Sequence, residues 1–168
     1  MAEKSRRQSR RGRPDRKDDE FEQKLIEISR VTRVMAGGKR MSFRACVVIG
    51  DRAGRVGMGL RKGADVTIAI NKAVTAAKKN LIKVTMVNDT LPGTAREKFG
   101  SARILLKPAP AGTGVIAGGP VRAVLELVGI KNVVSKMMGS KNKVNNVKAT
   151  LSALQKLRSR EQLRELRK

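Results

Sequence analysis

The sequence contains no histidine, tryptophan or tyrosine, and Cys46 is its only cysteine. A single cysteine cannot close a disulfide within the chain, and the missing histidines remove the usual ligands of a zinc site. The carboxylates are scattered and Cys46 has no evident base, so no catalytic constellation is present. These absences predict a protein that binds and does not catalyse, with no metal and no other cofactor.

Aromatic side chains are scarce, since Phe21, Phe43 and Phe99 are the only three. Proteins that bind single-stranded nucleic acids stack bases on exposed aromatic rings. A chain with so few rings is therefore expected to bind folded or duplex RNA through backbone, shape and groove contacts. The scarcity of aromatic rings does not distinguish RNA from DNA, so DNA stays an alternative partner.

Long apolar segments are missing as well. No run approaches the roughly 20 apolar residues that a helix needs to cross a bilayer. The N-terminus also lacks the apolar core of a signal peptide. The chain is expected to be intracellular, either soluble or held in an assembly, and without contact to a membrane.

Positive charge is abundant instead. Lysine and arginine number 38 against 14 aspartate and glutamate residues, which gives a net charge of +24. A chain this basic repels itself in isolation, so its composition indicates a polyanionic partner. Residues 1–20 are strongly basic and have no large apolar residue after Met1, which predicts a disordered tail that follows phosphates on binding. A solubilising tail and a nuclear localisation signal are the alternatives for this segment.

The segment from Arg30 to Gly63 has the pattern of three strands joined by two glycine turns. Alternating apolar residues predict that one face of the middle strand packs on a core while the other stays open or half-buried. In the third strand Gly57 and Gly59 leave a bare strip of backbone, which is costly unless something comes close. A phosphate chain is expected there because cations surround the strip, and a hairpin with solvated charges is the alternative. These cations are Arg52, Arg55, Arg61 and Lys62.

Apolar residues from Val66 to Leu81 recur with the period of a helix, and Asp65 is placed to cap its start. A three-stranded sheet backed by this helix forms a first domain at residues 21–85. Domains that bind double-stranded RNA combine an antiparallel sheet with a packed helix, so this region loosely resembles them.

The second domain, residues 86–157, contains the segment PAPAGTGVIAGGPVRAVLELVG. Its glycines predict a flexible loop, and Pro120 fits the first turn of a helix that ends at Gly129. The glycines formally satisfy the GxGxxA motif of dinucleotide sites. That site is rejected, because prolines and a loop separate the glycines from the preceding strand and no acidic residue stands at the required spacing.

The remainder of the chain is predicted to hold one more strand and one more helix. Val133 and Val134 lie at the centre of the strand. Asn145 or Asn146 is predicted to cap the helix. Residues 158–168 are expected to form a frayed basic tail, because an isolated helical segment of that length is marginal.

Two long motifs and several short ones carry a family resemblance. They are Gly37-Gly38-Lys39 through Phe43, Val48-Ile49-Gly50, Gly54-Arg55-Val56-Gly57, Gly59, GTGVIAGGPVRAVLELVGIKNV, Gly139-Ser140 and Asn145. In this order they resemble the bacterial-type small-subunit ribosomal protein five, from about Leu25 to Leu157. One departure is Arg61-Lys62, where many relatives have a third alternating glycine followed by lysine.

The resemblance implies an α+β fold of two small domains. The N-terminal domain would be a double-stranded-RNA-binding-like sheet plus helix, and the C-terminal one a βαβα domain with a left-handed crossover, which is rare. The implied function is that of a structural constituent of the small ribosomal subunit. It would bind small-subunit ribosomal RNA near the junction of head and body.

The resemblance also implies neighbours and a location. Small-subunit ribosomal proteins four and eight are expected contacts, and the chain would lie beside the channel through which messenger RNA enters. It would support subunit assembly and decoding accuracy, without forming a homo-oligomer. The location would be the cytoplasm of a bacterium, or the matrix or stroma of an organelle.

Individual residues can be placed by the same resemblance together with the charge pattern. Met35 to Arg40 look like the family's first hairpin, which reaches RNA near the neck and borders the spectinomycin site. The segment with Gly112, Gly114 and Arg122 looks like the part that faces protein four. The residues expected at RNA are Arg30, Arg33, Gly37, Gly38, Lys39, Arg40, Arg44, Arg52, Arg55, Gly57, Gly59, Arg61 and Lys62. A free-standing regulator that binds duplex RNA and a nucleotide-dependent enzyme are the rival functions.

Overall fold

The computed structural model describes residues 21–165. These residues form eight strands, arranged in two four-stranded sheets, and four helices. The predicted α+β fold of two domains is confirmed. The predicted tail at residues 1–20 lies outside the described residues, as do residues 166–168. The elements are β1 Glu22–Met35, β2 Gly38–Gly50, β3 Arg55–Gly63, α1 Val66–Lys79, β4 Leu81–Lys83, β5 Ala95–Phe99, β6 Ala102–Pro108, β7 Val115–Ile116, α2 Gly119–Val128, β8 Val133–Gly139, α3 Lys143–Lys156 and α4 Arg160–Glu165.

The first sheet is antiparallel, with strand order β1-β2-β3-β4. Strands β1 and β2 are 14 and 13 residues long, and both run past the end of β3, whose pairing with β2 stops at Phe43 opposite Gly63. The part of the hairpin beyond this point, residues 31–42, is a two-stranded arm that extends out of the sheet. At its tip Gly37 has a φ of 83°, a conformation that glycine adopts without steric cost.

Helix α1 packs on one face of this sheet through an unusually close contact. The Asp65 carboxylate accepts a hydrogen bond from the Val66 amide at 2.7 Å, which confirms the predicted cap. Small residues line both sides of the contact, and a Cβ built on Gly59 would lie 1.9 Å from the Ala73 carbonyl oxygen. One on Gly57 would lie 2.5 Å from the Ala77 carbonyl oxygen.

This contact corrects the interpretation of Gly57 and Gly59. Both glycines are buried, and the backbone that approaches them belongs to helix α1. The expectation that this strip receives a phosphate chain is therefore wrong, since the helix already occupies the space. The glycines serve packing within the first domain.

The opposite face of the first sheet is also buried, although the sequence suggested an open or half-buried face. Cys46 and Val48 on β2 belong to one hydrophobic cluster with Leu125 and Val128 on α2. Burial is the main reason that the pKa of the Cys46 thiol rises to about 11, with the nearby charge of Glu27 adding to it. The thiol is therefore protonated at neutral pH and lies in a core that both domains share.

Backbone hydrogen bonds join the two domains at the end of α2. The amide of Arg52, in the β2–β3 turn, donates to the Leu127 carbonyl at 3.0 Å, and that of Gly54 donates to the Val128 carbonyl at 3.0 Å. The last carbonyls of a helix lack partners within it, so this turn caps α2 from the other domain. Gly129, with a φ of 96°, ends the helix as predicted.

The second sheet has strand order β5-β6-β8-β7, with β7 parallel to β8 and the other pairs antiparallel. Helix α2 connects the two parallel strands, so the predicted βαβ unit is present, and the hand of its crossover stays a prediction. Helices α2 and α3 cover one face of the sheet, where Ile104, Leu106 and Val133 are fully buried.

The cap of helix α3 differs from the predicted one. The Asn142 side-chain oxygen accepts hydrogen bonds from the amides of Val144 and Asn145, at 3.0 and 3.3 Å. Asn146 is fully buried instead, and its side-chain amide donates to the Ser140 carbonyl at 3.1 Å. The prediction of Asn145 or Asn146 as the cap is wrong, because the helix begins one turn earlier, at Lys143.

The glycine contact with α1 leads to a stability prediction. Gly59→Ala is expected to lower the free energy of unfolding by about 1–3 kcal/mol or more, since a backbone carbonyl cannot move aside for the new methyl group. The measurement is the midpoint of denaturant unfolding. Gly93→Ala is the control, because a Cβ there meets nothing within 4 Å, and it should change stability by less than about 0.5 kcal/mol. Equal effects of the two substitutions would contradict the close-contact explanation.

Candidate nucleic-acid interface

The arm formed by residues 31–42 concentrates positive charge without any carboxylate. Arg33 stands directly opposite Arg40 in the β1–β2 register, and Lys39 stands opposite Val34. Like charges directly opposite one another destabilise a strand pair. No aspartate or glutamate occurs in this segment to offset the repulsion. An external anion would therefore be bound favourably by the arm.

The tip of the arm also exposes apolar side chains. Val34 is 75% exposed, and Met35 and Met41 are each 48% exposed. Both faces of a two-stranded arm are open to solvent, so these side chains have no core of their own. The tip of the arm therefore combines cations with exposed apolar side chains.

A groove of about 400 Å³ lies where the arm leaves the sheet. Its lining includes the side chains of Arg33 and Arg40 from the arm and that of Lys62 from β3. Lys72 of α1 closes the other side. Four cations around one groove form a site that fits the phosphates of a nucleic acid backbone.

A second groove, of about 370 Å³, continues along the exposed side of α1. It is lined by Arg61, Lys72 and Lys79 among others, so Lys72 belongs to both grooves. The predicted set of RNA-binding residues does not include Lys72 and Lys79. Their spacing of seven residues, which places them on the same side of a helix, is the signal that could have identified them.

The glycine loop before β7 is organised by a buried asparagine. The Asn132 side-chain oxygen accepts hydrogen bonds from the amides of Gly112 and Gly114, at 3.1 and 3.2 Å. Asn132 is 8% exposed, and the Val133 amide also donates to the Gly114 carbonyl at 3.1 Å. The two glycines have φ values of 90° and 75°, with open space where a Cβ would stand. The loop is therefore held from beneath while its outer side stays accessible.

Two matches to known protein families cover most of the chain. Residues 21–85 match the family described as Ribosomal protein S5, N-terminal domain. Residues 97–167 match the family described as Ribosomal protein S5, C-terminal domain.

The chain belongs to the ribosomal protein S5 family. It is thus a protein of the small ribosomal subunit that binds ribosomal RNA, in a family whose role is structural and not enzymatic. Within residues 21–165, no helix is long and apolar enough to span a bilayer. The same residues contain no group of three or more histidine, cysteine, aspartate or glutamate side chains that could hold a metal ion.

Two cations in the predicted RNA set of this S5 family member lie away from the arm. Arg52 and Arg55 flank the β2–β3 turn, at the end of β2 opposite the arm. The Arg52 guanidinium pairs with the Glu22 carboxylate at 2.8 Å. Arg55 pairs with Asp51 and lies over the Phe21 ring at 5.1 Å from its centroid. These contacts hold the turn that caps α2, so the structure does not bring Arg52 and Arg55 together with the arm residues.

The Asp51 carboxylate keeps its charge in this turn. Burial alone would raise its pKa, but hydrogen bonds from the Arg55 side chain and from the amides of Arg55 and Ala53 outweigh burial, so the pKa is lowered. A carboxyl group with a lowered pKa in the folded state stabilises the fold above its unfolded pKa and loses this contribution as pH falls. The turn therefore keeps this contribution at neutral pH and loses it only in acid.

The other predicted cations divide by exposure. Arg30, Arg33, Lys39, Arg40, Arg61 and Lys62 are exposed on the first sheet and its arm. Arg44 is only half exposed, and its Nε donates to the Ser29 hydroxyl at 3.1 Å. In the second domain, Arg122 is exposed on α2 and donates to the Glu126 carboxylate at 2.7 Å, while Lys24 of β1 reaches the same carboxylate at 2.8 Å. Arg122 is therefore linked to the first domain through Glu126.

The hydrogen bonds of Asn132 lead to a testable prediction. Asn132→Ala is expected to lower the free energy of unfolding by about 1–3 kcal/mol, because two loop amides lose their acceptor. It should also speed hydrogen exchange of the Gly112 and Gly114 amides. Asn132→Asp is the matched control, since it retains a side-chain oxygen acceptor and should keep both amides protected. Unchanged exchange in Asn132→Ala would show that the asparagine does not hold the loop.

Proposed function

We propose that this S5 family member places its β1–β2 arm against small-subunit ribosomal RNA near the junction of head and body. The observation that carries the proposal is the pair of facing arginines, Arg33 and Arg40, in an arm without carboxylates. The groove beside them adds Lys62 and Lys72. Gly37 and Gly38 give the tip its tight turn, so that phosphates can approach the backbone there.

Three further cations of the predicted set take supporting parts in this proposal. Arg30 and Arg44 stand near the base of the arm, and Arg61 lines the groove along α1. A surface of this kind binds RNA through its backbone and shape, which suits a chain with three aromatic residues. The site of action would be the small subunit, in a bacterial cytoplasm or an organelle.

We further propose that the loop with Gly112 and Gly114 and the nearby helix α2 form the contact with small-subunit ribosomal protein four. The loop is held on Asn132 and presents backbone outward, which suits a protein partner that approaches closely. The proposal also includes contacts with small-subunit ribosomal protein eight and with messenger RNA where it enters the subunit. In this setting the chain supports subunit assembly and decoding accuracy.

A free-standing regulator of duplex RNA is the rival to this proposal. An assembly component should stay with small subunits during sedimentation through high salt, whereas a dissociable electrostatic binder should leave as screening increases. Contact between the arm and RNA can be measured with purified small-subunit ribosomal RNA.

Lys39→Ala combined with Arg40→Ala is expected to weaken binding to small-subunit ribosomal RNA. Each lost phosphate contact should reduce the slope of log affinity against log salt by about 0.7–0.9, so the pair should reduce it by about 1.4–1.8. Lys83→Ala combined with Arg158→Ala removes the same charge from exposed positions outside the arm and is the control. An unchanged slope in the arm variant, or an equal change in the control, would count against contact at the arm.

Substitutions at the proposed contact with protein four are expected to affect decoding. Gly114→Ala forces a side chain into a positive φ, and Arg122→Ala removes the ion pair with Glu126. Both should loosen the contact and ease the closing motion of the subunit, so reporter readthrough of stop codons should increase. Lys131→Ala, which breaks an exposed ion pair with Asp89, is the control. Readthrough at the wild-type level in both variants would refute the proposed role.

A further inference from the structure

The second sheet has one covered face and one open face. Side chains alternate along its strands, so Ala102, Ile104 and Leu106 of β6 point to the helices and are fully buried. Arg103 and Lys107 lie on the opposite side of the same strand and are exposed. No element among residues 21–165 covers this opposite side, which we name the open face of the second sheet.

The open face carries cations and no carboxylate. Its cations are Arg96, Lys98, Arg103, Lys107 and Lys136. Glu97 of β5 lies on the covered side, where its carboxylate pairs with Lys156 of α3 at 2.7 Å. Phe99 also lies on that side and meets the Lys148 ammonium at 5.0 Å from the ring centroid. Within the described residues, none of the five cations is paired with a carboxylate.

The strand register places these cations in adjacent rows. Lys98 stands opposite Arg103, and Lys136 stands opposite Leu105. Neighbouring strands are about 4.8 Å apart and residues two apart on a strand are about 6.7 Å apart, so the five span roughly 10 by 14 Å. A groove of about 450 Å³ at one end of the face is lined by Lys98, Arg103 and Met138. The charge is therefore spread over a surface and does not converge on one point.

We infer that the open face of the second sheet is a second RNA-binding surface, which takes the phosphate backbone of folded ribosomal RNA. The inference rests on the RNA-binding role proposed above and adds a separate contact in the other domain. Lysine supplies three of the five cations, and lysine is depleted in protein–protein interfaces while it is common at nucleic acid backbones. Val134 and Met138, 37% and 36% exposed, add apolar contact between the charges.

The test measures binding of the full chain to small-subunit ribosomal RNA over a range of salt concentrations. Arg103→Gln combined with Lys136→Gln removes two charges from the open face. Lys83→Gln combined with Arg158→Gln is the control of equal charge, and Lys39→Ala combined with Arg40→Ala reports on the arm. The open-face variant is expected to reduce the salt slope by about 1.4–1.8, while the control leaves it near the wild-type value.

A hydroxyl-radical footprint of the bound RNA separates the two surfaces. The open-face variant should lose protection at riboses that the arm variant still protects. If only the arm variant changes slope and footprint, the open face is not an RNA surface and the proposed function stands. If neither variant differs from the control, both proposals fail.

An acidic protein is the other partner that the open face could take. In that case the open-face variant would bind RNA like the control but would lose binding to a neighbouring small-subunit protein, and the inference would be overturned. Circular dichroism and the unfolding midpoint of each variant confirm that the fold is retained. Both substituted side chains are exposed, so no loss of core packing is expected.

Discussion

The structure depends on close contact between backbones at the first sheet. On one face, Gly57 and Gly59 let the backbone of α1 approach so closely that no Cβ fits between them. At the edge of the other face, Gly50 and Gly129 allow an equally close backbone contact between the β2–β3 turn and the end of α2. Small contact surfaces of this kind replace the bulky aromatic packing that the composition does not provide. With helices fixed on both faces, the sheet becomes the shared centre of two domains.

The cations near the junction of the two domains differ in their pairing from the cations on the outer surfaces. Near the junction of the domains, cations such as Lys24, Arg52 and Arg122 have carboxylate partners. In the arm and on the open face of the second sheet, the cations have none among the described residues. The pair of Lys24 with Glu126 joins the two domains, whereas the unpaired cations repel one another and are stabilised when phosphates lie between them. The same residue types therefore have carboxylate partners near the junction of the domains and none on the two surfaces proposed to bind RNA.

Local signals in the sequence predicted much of the fold. Features that depend on contacts between residues far apart in the sequence could not be predicted. Asp65 and Gly129 marked helix ends correctly, because caps depend on neighbouring residues. Gly57 and Gly59 were misinterpreted, since a bare backbone admits a helix as readily as a phosphate. The docking of α2 on Cys46 and Val48 could not be predicted, because these residues alternate like any half-buried strand. Asn132 gave no signal at all, since its two partners lie 18 and 20 residues away.

The continuity of β2 has a mechanical consequence. Its 13 residues run from the tip of the arm, at Gly38, to Gly50, which adjoins the turn that caps α2. At about 3.3 Å per residue the strand is about 40 Å long. A load on the tip is therefore carried along one continuous strand to the turn whose amides bind the last carbonyls of α2.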